Sequence, residues 1–121
     1  MAGTLVVDTL KSSTTGAPTF QNTSGTQVGT LCRAWVNFTG STATINASFN
    51  VSSVTRNSTG NYTLNLTNAM IDANYSCCGS TTGNGDGYVV LTTLATSSVQ
   101  IITRTSAALV DPTVVSVAIF R

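Results

Sequence analysis

Side chains that could perform acid–base or nucleophilic chemistry are scarce in this sequence. Histidine is absent, so a Ser-His-Asp or Cys-His arrangement is impossible and zinc loses its commonest nitrogen ligand. Glutamate is absent as well, and a paired-carboxylate site would need two of four widely spaced aspartates. These are Asp8, Asp72, Asp86 and Asp111. The composition therefore predicts a protein that is not an enzyme and that holds no metal or cofactor.

The three cysteines, Cys32, Cys77 and Cys78, also give no obvious site. An odd number excludes complete pairing within one chain, and a three-thiolate metal site lacks a plausible fourth ligand. Cys77 and Cys78 are neighbours, so their side chains would point to opposite faces of a strand. We predict three free thiols packed as small hydrophobic groups, which fits assembly in a reducing cytoplasm.

A Gly- and Thr-rich stretch, residues 79–87, is the best candidate for a polar binding loop. It lacks the Lys-Ser/Thr pair of a P-loop, and it has one carboxylate where an EF-hand needs several, so a connecting loop is the simplest interpretation. The functional alternative is a tip loop that binds sugar, with a tyrosine as stacking surface. Its candidate residues are Tyr75, Thr81, Thr82, Asn84, Asp86 and Tyr88.

Aromatic residues offer a second candidate site. Trp35 and Phe38 lie three residues apart in Arg33-Ala34-Trp35-Val36-Asn37-Phe38. This spacing suits either an aromatic binding platform or anchors in a core or an interface. Anchors are the commoner case, and we predict that Phe49 and Phe120 join Trp35 and Phe38 as core or oligomer anchors.

Charged residues make up only 7 % of the chain, and the net charge is +1. The few basic residues are scattered rather than clustered into the face that nucleic acid requires. A surface of hydroxyls and amides suits a large assembly better than a free cytosolic monomer. The first residues lack a basic region, and no stretch approaches the roughly 18 apolar residues of a membrane span. We therefore expect neither a signal peptide nor membrane insertion.

The elements that would position these residues fall into two parts. Residues 1–30 are predicted to be an N-terminal arm, with one possible strand at residues 4–10. After that strand, small polar residues dominate and cannot bury much surface by themselves. From Leu31 onwards apolar and polar residues alternate in short runs, and residues 31–121 are predicted to be the folded domain.

Within the domain, period-two alternation indicates strands. Residues 45–52 show it most clearly, with Ile45, Ala47, Phe49 and Val51 on the predicted buried face. A turn cluster at residues 56–61 and a second alternating run at 62–66 complete a predicted β-hairpin. Further strands are predicted at residues 34–39, 75–78, 88–94, 99–104 and 114–120. About seven strands at this spacing predict a small antiparallel sandwich or barrel, and we take the sandwich as the interpretation.

The lack of charged residues in two predicted strands suggests that the domain associates with itself. Residues 44–54 and 113–120 carry almost no charge and lack lysine, which usually protects an exposed sheet edge. Copies of the chain arranged with closed cyclic symmetry would cover such edges without forming fibrils.

Short blocks spread over nearly the whole chain carry a family resemblance. The most specific is Arg33-Ala34-Trp35-Val36-Asn37-Phe38, and the others are residues 3–8, 26–29, 45–54, 60–63, 69–70, 72–75 and 117–120. They resemble a family of small bacteriophage tail-fibre and appendage proteins that is frequent in aquatic phages. The resemblance implies a trimeric virion structural protein, often with a host-binding role. It supplies no catalytic residue and no receptor contact.

The leading hypothesis is therefore a short tail fibre or appendage module of a phage virion, assembled in the host cytoplasm. Its partners would be its own copies, another virion protein through the arm, and a host-surface glycan or protein. Neither heptads nor repeats of a long shaft are present, so a capsid decoration or cement protein is the alternative. A free carbohydrate-binding module is the third hypothesis.

Overall fold

The computed structural model describes residues 3–12, 18–83 and 87–121. They belong to two compact units, residues 1–31 and 32–121. In these described ranges the chain is all-β, its sheets are antiparallel, and there is no helix, hence none that could cross a membrane.

The first unit contains a short hairpin. Strands β1 (Phe20–Gln21) and β2 (Gln27–Gly29) pair antiparallel. Asn22 closes the turn, because its Oδ1 accepts the N–H groups of Ser24 and Thr26, both at 3.0 Å. Residues 3–12 form no strand, so the strand predicted at residues 4–10 is wrong. A short extended segment without a partner strand is not stable as a strand by itself.

The second unit contains two four-stranded sheets. Its eight described strands, where the sequence predicts about seven, are β3 (Cys32–Thr39), β4 (Thr44–Phe49), β5 (Val51–Ser58), β6 (Asn61–Leu66), β7 (Ser76–Thr82), β8 (Tyr88–Leu94), β9 (Ser98–Arg104) and β10 (Val114–Phe120). The strand order is β4-β3-β10-β7 in one sheet and β5-β6-β9-β8 in the other. The last strand, β10, pairs on both sides, which confirms that the apolar C-terminal run is held in a sheet.

The additional strand arises because the run predicted as one strand, residues 45–52, is divided at Asn50. This residue has φ 58°, a left-handed conformation that asparagine tolerates better than most residues. Its Oδ1 accepts the backbone N–H of Asn68 at 2.8 Å, and its Nδ2 donates to the carbonyl of Arg33 at 3.1 Å. As a result β4 and β5 join different sheets, and the predicted single strand is wrong.

One hydrophobic core receives alternate side chains from both sheets. It comprises Ala34, Val36, Phe38, Val51, Tyr62, Leu64, Leu66, Met70, Tyr75, Val99, Ile101, Val115, Val117 and Ile119. The rings of Phe38 and Tyr62 meet edge to face, with centroids 5.0 Å apart. Burying each large apolar side chain contributes about 1.5–3 kcal/mol. The alternation predicted for residues 62–66 is confirmed. The buried face predicted for residues 45–51 is not, because Ala47 and Phe49 are exposed.

A carboxylate joins the β5–β6 turn to the segment before β10. Asp111 accepts the hydroxyl of Tyr62 at 2.6 Å, the backbone N–H of Gly60 at 2.9 Å and Nη2 of Arg56 at 2.6 Å. Burial alone would raise the pKa of the Asp111 carboxyl, but these hydrogen bonds outweigh it and lower the pKa to about 2. Gly60 has φ +63°, and a Cβ there would lie 2.5 Å from the carbonyl oxygen of Thr103. Only glycine therefore fits this turn.

Candidate functional site

The four described tip-loop candidates lie on or next to strands β7 and β8. Tyr75 is 7 % exposed, and its hydroxyl donates to the carbonyl of Ala95 at 2.7 Å. It therefore offers no stacking surface, and that prediction is wrong. Thr81 and Thr82 belong to strand β7 rather than to a loop. Tyr88 is exposed at the start of β8, in the other sheet. The remaining two candidates, Asn84 and Asp86, lie outside the described residues.

The four predicted aromatic anchors separate into two groups. Phe38 lies in the core. Trp35, Phe49 and Phe120 are 39 %, 56 % and 37 % exposed. Trp35 and Phe120 alternate with the core residues of β3 and β10, and Phe49 is the cross-strand partner of Trp35. They therefore share the solvent-exposed side of the sheet β4-β3-β10-β7, which we call the outer face. Successive side chains of a strand point to opposite faces. Trp35 and Phe38, three positions apart on β3, therefore lie on opposite faces of the sheet.

A groove of about 460 Å³ lies on the outer face above β10. Its floor carries the small side chains of Ser116 and Ala118. On one side lie Trp35 and Asn37 of β3, and on the other Cys78 and Ser80 of β7. The strand register explains the depression, since Ala118 pairs with Trp35 and with Cys78, and Ser116 pairs with Asn37 and with Ser80. Small residues on β10 and β7 leave space beside the larger Trp35 and Asn37 of β3.

A directed series of hydrogen bonds orders the polar half of the groove. Asn46 Nδ2 donates to Asn37 Oδ1 at 2.9 Å, and Asn37 Nδ2 donates to Ser116 Oγ at 2.8 Å. Among the described residues, the hydroxyl proton of Ser116 has no acceptor, and the hydroxyl of Ser80 makes no hydrogen bond. The hydroxyl groups of Ser116 and of its cross-strand partner Ser80 can therefore both bond a ligand.

Electrostatically the groove is neutral. No Asp, Lys or Arg is among the described residues that line it. Its one thiol, Cys78, is exposed, and all three cysteines are free. Free thiols were predicted correctly, but the prediction that all three are packed is wrong for Cys78. The neighbouring Cys77 faces the core, where burial raises the pKa of its thiol to about 11.

The groups in the groove are suited to binding a ligand. An indole wall, an oriented amide and two hydroxyls can contact a ligand with both apolar and hydroxylated surfaces. In the described ranges there is no group of three or more His, Cys, Asp or Glu side chains placed to hold a metal ion. Comparison with protein-family models, with curated proteins and with solved structures gives no match.

Sequence reasoning missed most of the groove. Of its lining residues it named Trp35 and Cys78, and the candidate loop at residues 79–87 included Ser80. Asn37, Ser116 and Ala118 are common residue types that gave no signal. A signal did exist on β10, where Ser116 and Ala118 alternate with Val115 and Val117. That pattern marks a strand with an outer face of small residues, but it does not tell which strands flank it.

Proposed function

We propose that this chain is a non-enzymatic structural protein of a bacteriophage virion, a short tail-fibre or appendage module that attaches the particle to its host. Residues 32–121 form a β-sandwich in this proposal, and its outer face is the attachment surface. The observation that carries it is the neutral groove beside Trp35, a solvent-exposed indole next to ordered amide and hydroxyl groups.

The sandwich is supported by the arrangement of the core. The inward-facing residues of both four-stranded sheets enter one buried cluster, as in two sheets packed face to face. Such a scaffold holds an outer face rigid, which suits recognition because little conformational entropy is lost on binding. Two parts of the proposal come from the family resemblance alone: that the chain belongs to a virion, and that it forms a trimer.

Attachment is tested by competition. Host cells are incubated with the purified full-length protein before particles are added, and the adsorbed fraction is counted. We expect the wild-type protein to reduce adsorption and Trp35→Ala to compete poorly, because the substitution removes the wall of the groove. Tyr88→Ala is the control, since Tyr88 is an exposed aromatic residue on the other sheet. No competition by the wild-type protein would refute attachment.

The position on the particle is tested by labelling and by deletion of the arm. Antibody labelling of purified particles at the tail supports the appendage, whereas uniform labelling of the head supports the capsid decoration protein instead. Particles produced with the chain lacking residues 1–30 should carry none of it. Incorporation at the normal level would show that the arm does not dock the module.

A further inference from the structure

We propose that the groove on the outer face binds a neutral hexopyranose unit of a glycan. The indole of Trp35 packs on the apolar face of the sugar ring, and Asn37, Ser80 and Ser116 bond its hydroxyl groups. This inference names the ligand class of the attachment surface, and in that respect it rests on the proposed function.

Trp35 provides the apolar contact. Its side chain is 39 % exposed, and its cross-strand neighbour on β10 is Ala118, whose methyl group leaves the groove side of the indole uncovered. An indole presents a large, rigid apolar surface and loses little conformational freedom on binding. The C–H groups on one face of a pyranose ring form an apolar surface of matching shape.

The polar contacts lie at a suitable spacing from the indole. Asn37 is two residues after Trp35 on β3, so the two side chains leave the same face about 7 Å apart. That separation lets one sugar ring touch the indole and reach the amide. The hydrogen bond from Asn46 fixes the amide of Asn37, and the Ser116 proton and the Ser80 hydroxyl complete a set that both donates and accepts. A sugar hydroxyl needs such a set, since it also donates and accepts.

Charge decides between neutral and acidic sugars. No cationic side chain is among the described residues lining the groove, so the carboxylate of a sialic or uronic acid would be desolvated without a partner. The volume of about 460 Å³ lies within the roughly 300–1,000 Å³ of small-molecule sites and accommodates one or two rings. The geometry therefore favours a neutral sugar.

The test uses the fluorescence of Trp35, because it is the one tryptophan of the chain. The full-length protein is titrated with the methyl glycosides of glucose, galactose, mannose and N-acetylglucosamine, and with glucuronate and N-acetylneuraminate as acidic counterparts. We expect a saturable change in emission with at least one neutral sugar at a Kd of about 1 mM. The acidic sugars should give at least tenfold weaker binding.

Variants that keep the reporter identify the polar contacts. Asn37→Ala and Ser80→Ala should each weaken binding about fivefold, the loss of one neutral hydrogen bond. Asn57→Ala is the matched control, since Asn57 is an exposed amide on the other sheet, and it should not change the affinity. An absence of saturable change with every neutral sugar would overturn the proposal, as would equal affinities for wild type and Asn37→Ala.

The sugar proposal and the proposed function fail in different ways. If the purified protein blocks particle adsorption but binds none of the neutral sugars, attachment stands and the ligand class is wrong. If a neutral sugar binds as expected but the protein does not block adsorption, the groove is a sugar site and attachment is refuted.

Discussion

Asp111 shows how much one carboxylate contributes in a chain with few charges. It accepts hydrogen bonds from Tyr62, Gly60 and Arg56, so it joins a core side chain, a tight turn and a surface cation. The hydroxyl of Tyr62 belongs to a fully buried side chain and has few other acceptors to choose from. The sequence did not indicate this network, because the partners of Asp111 are about fifty residues away.

Replacing Asp111 with alanine should therefore destabilise the fold strongly. The Tyr62 hydroxyl and the Gly60 amide would lose their acceptor, and we expect a loss of about 3 kcal/mol in the free energy of unfolding. Urea denaturation gives this value from the midpoint and the slope. Asp72→Ala is the control, since Asp72 forms an exposed ion pair with Arg121 and exposed pairs contribute little. Equal effects of the two substitutions would contradict the argument.

Asp111, and to a smaller extent the exposed Asp72, make the stability depend on pH. Hydrogen bonds from Arg121 and the Asn74 amide lower the pKa of Asp72 to about 2, and Asp111 has a similar value. Because both pKa values are depressed in the folded state, their stabilisation is complete above the unfolded value of about 3.9 and is lost as the pH falls towards 2. No histidine is present, and the thiol pKa of Cys77 lies near 11.

We therefore expect the free energy of unfolding to stay nearly constant between pH 5 and 8 and to fall between about pH 4 and pH 2. Thermal unfolding followed by circular dichroism over this range provides the measurement. A decrease of stability centred near pH 6 would contradict the assignment.

Among the elements, the strands that follow a plain alternation were predictable. The hairpin strand β6 and the late strands β8, β9 and β10 match the predicted segments closely, because each is flanked by clear turn residues. The break between β4 and β5 was not predictable from the alternation. It depends on one left-handed residue, Asn50, whose side-chain bonds reach segments that are distant in sequence. A period-two pattern carries no information about such bonds.

Substitutions at Asn50 separate its conformation from its hydrogen bonds. Both Asn50→Gly and Asn50→Ala lose the side-chain bonds, but alanine also meets a left-handed backbone. We expect the alanine variant to be about 1 kcal/mol less stable than the glycine variant. At Ser52, an exposed position of β5 with an ordinary φ, the order should reverse because glycine costs more entropy in a strand. Urea midpoints of the four variants provide the comparison, and the same order at both positions would refute a conformational role for Asn50.

The groove illustrates why a site on a sheet is harder to predict than its strands. Its walls come from β3 and β7, which are separated by three strands in the chain, and its floor comes from the last strand. Each strand could be found from the sequence, but the order β3-β10-β7 depends on which faces pack together in the core. The outer face is therefore a consequence of topology, and only the predicted anchors Trp35, Phe49 and Phe120 pointed to it.

For the whole molecule, the edges of the two sheets are the feature that bears on assembly. The structure places β10 inside its sheet, so the prediction that residues 113–120 form an exposed edge is wrong. The four edge strands are β4, β5, β7 and β8. Arg56 is the one charged residue in them, and it is paired with Asp111. Such edges present unpaired backbone groups with no lysine to discourage pairing. We therefore still expect the protein to associate with itself, but through these four strands and not through β10.

We expect the full-length protein to sediment as an oligomer at micromolar concentration, with about three times the chain mass of 12.4 kDa because the family resemblance implies a trimer.

Lysine placed on an edge should repel an approaching strand and favour the single chain. Ala47→Lys tests the edge at β4, and Thr93→Lys tests the edge at β8, both exposed positions. Ser41→Lys adds the same charge in an exposed turn and should leave the sedimentation coefficient unchanged. A clean 12.4 kDa species for the wild-type protein would refute self-association, and a dimer would keep the edge argument while excluding the trimer.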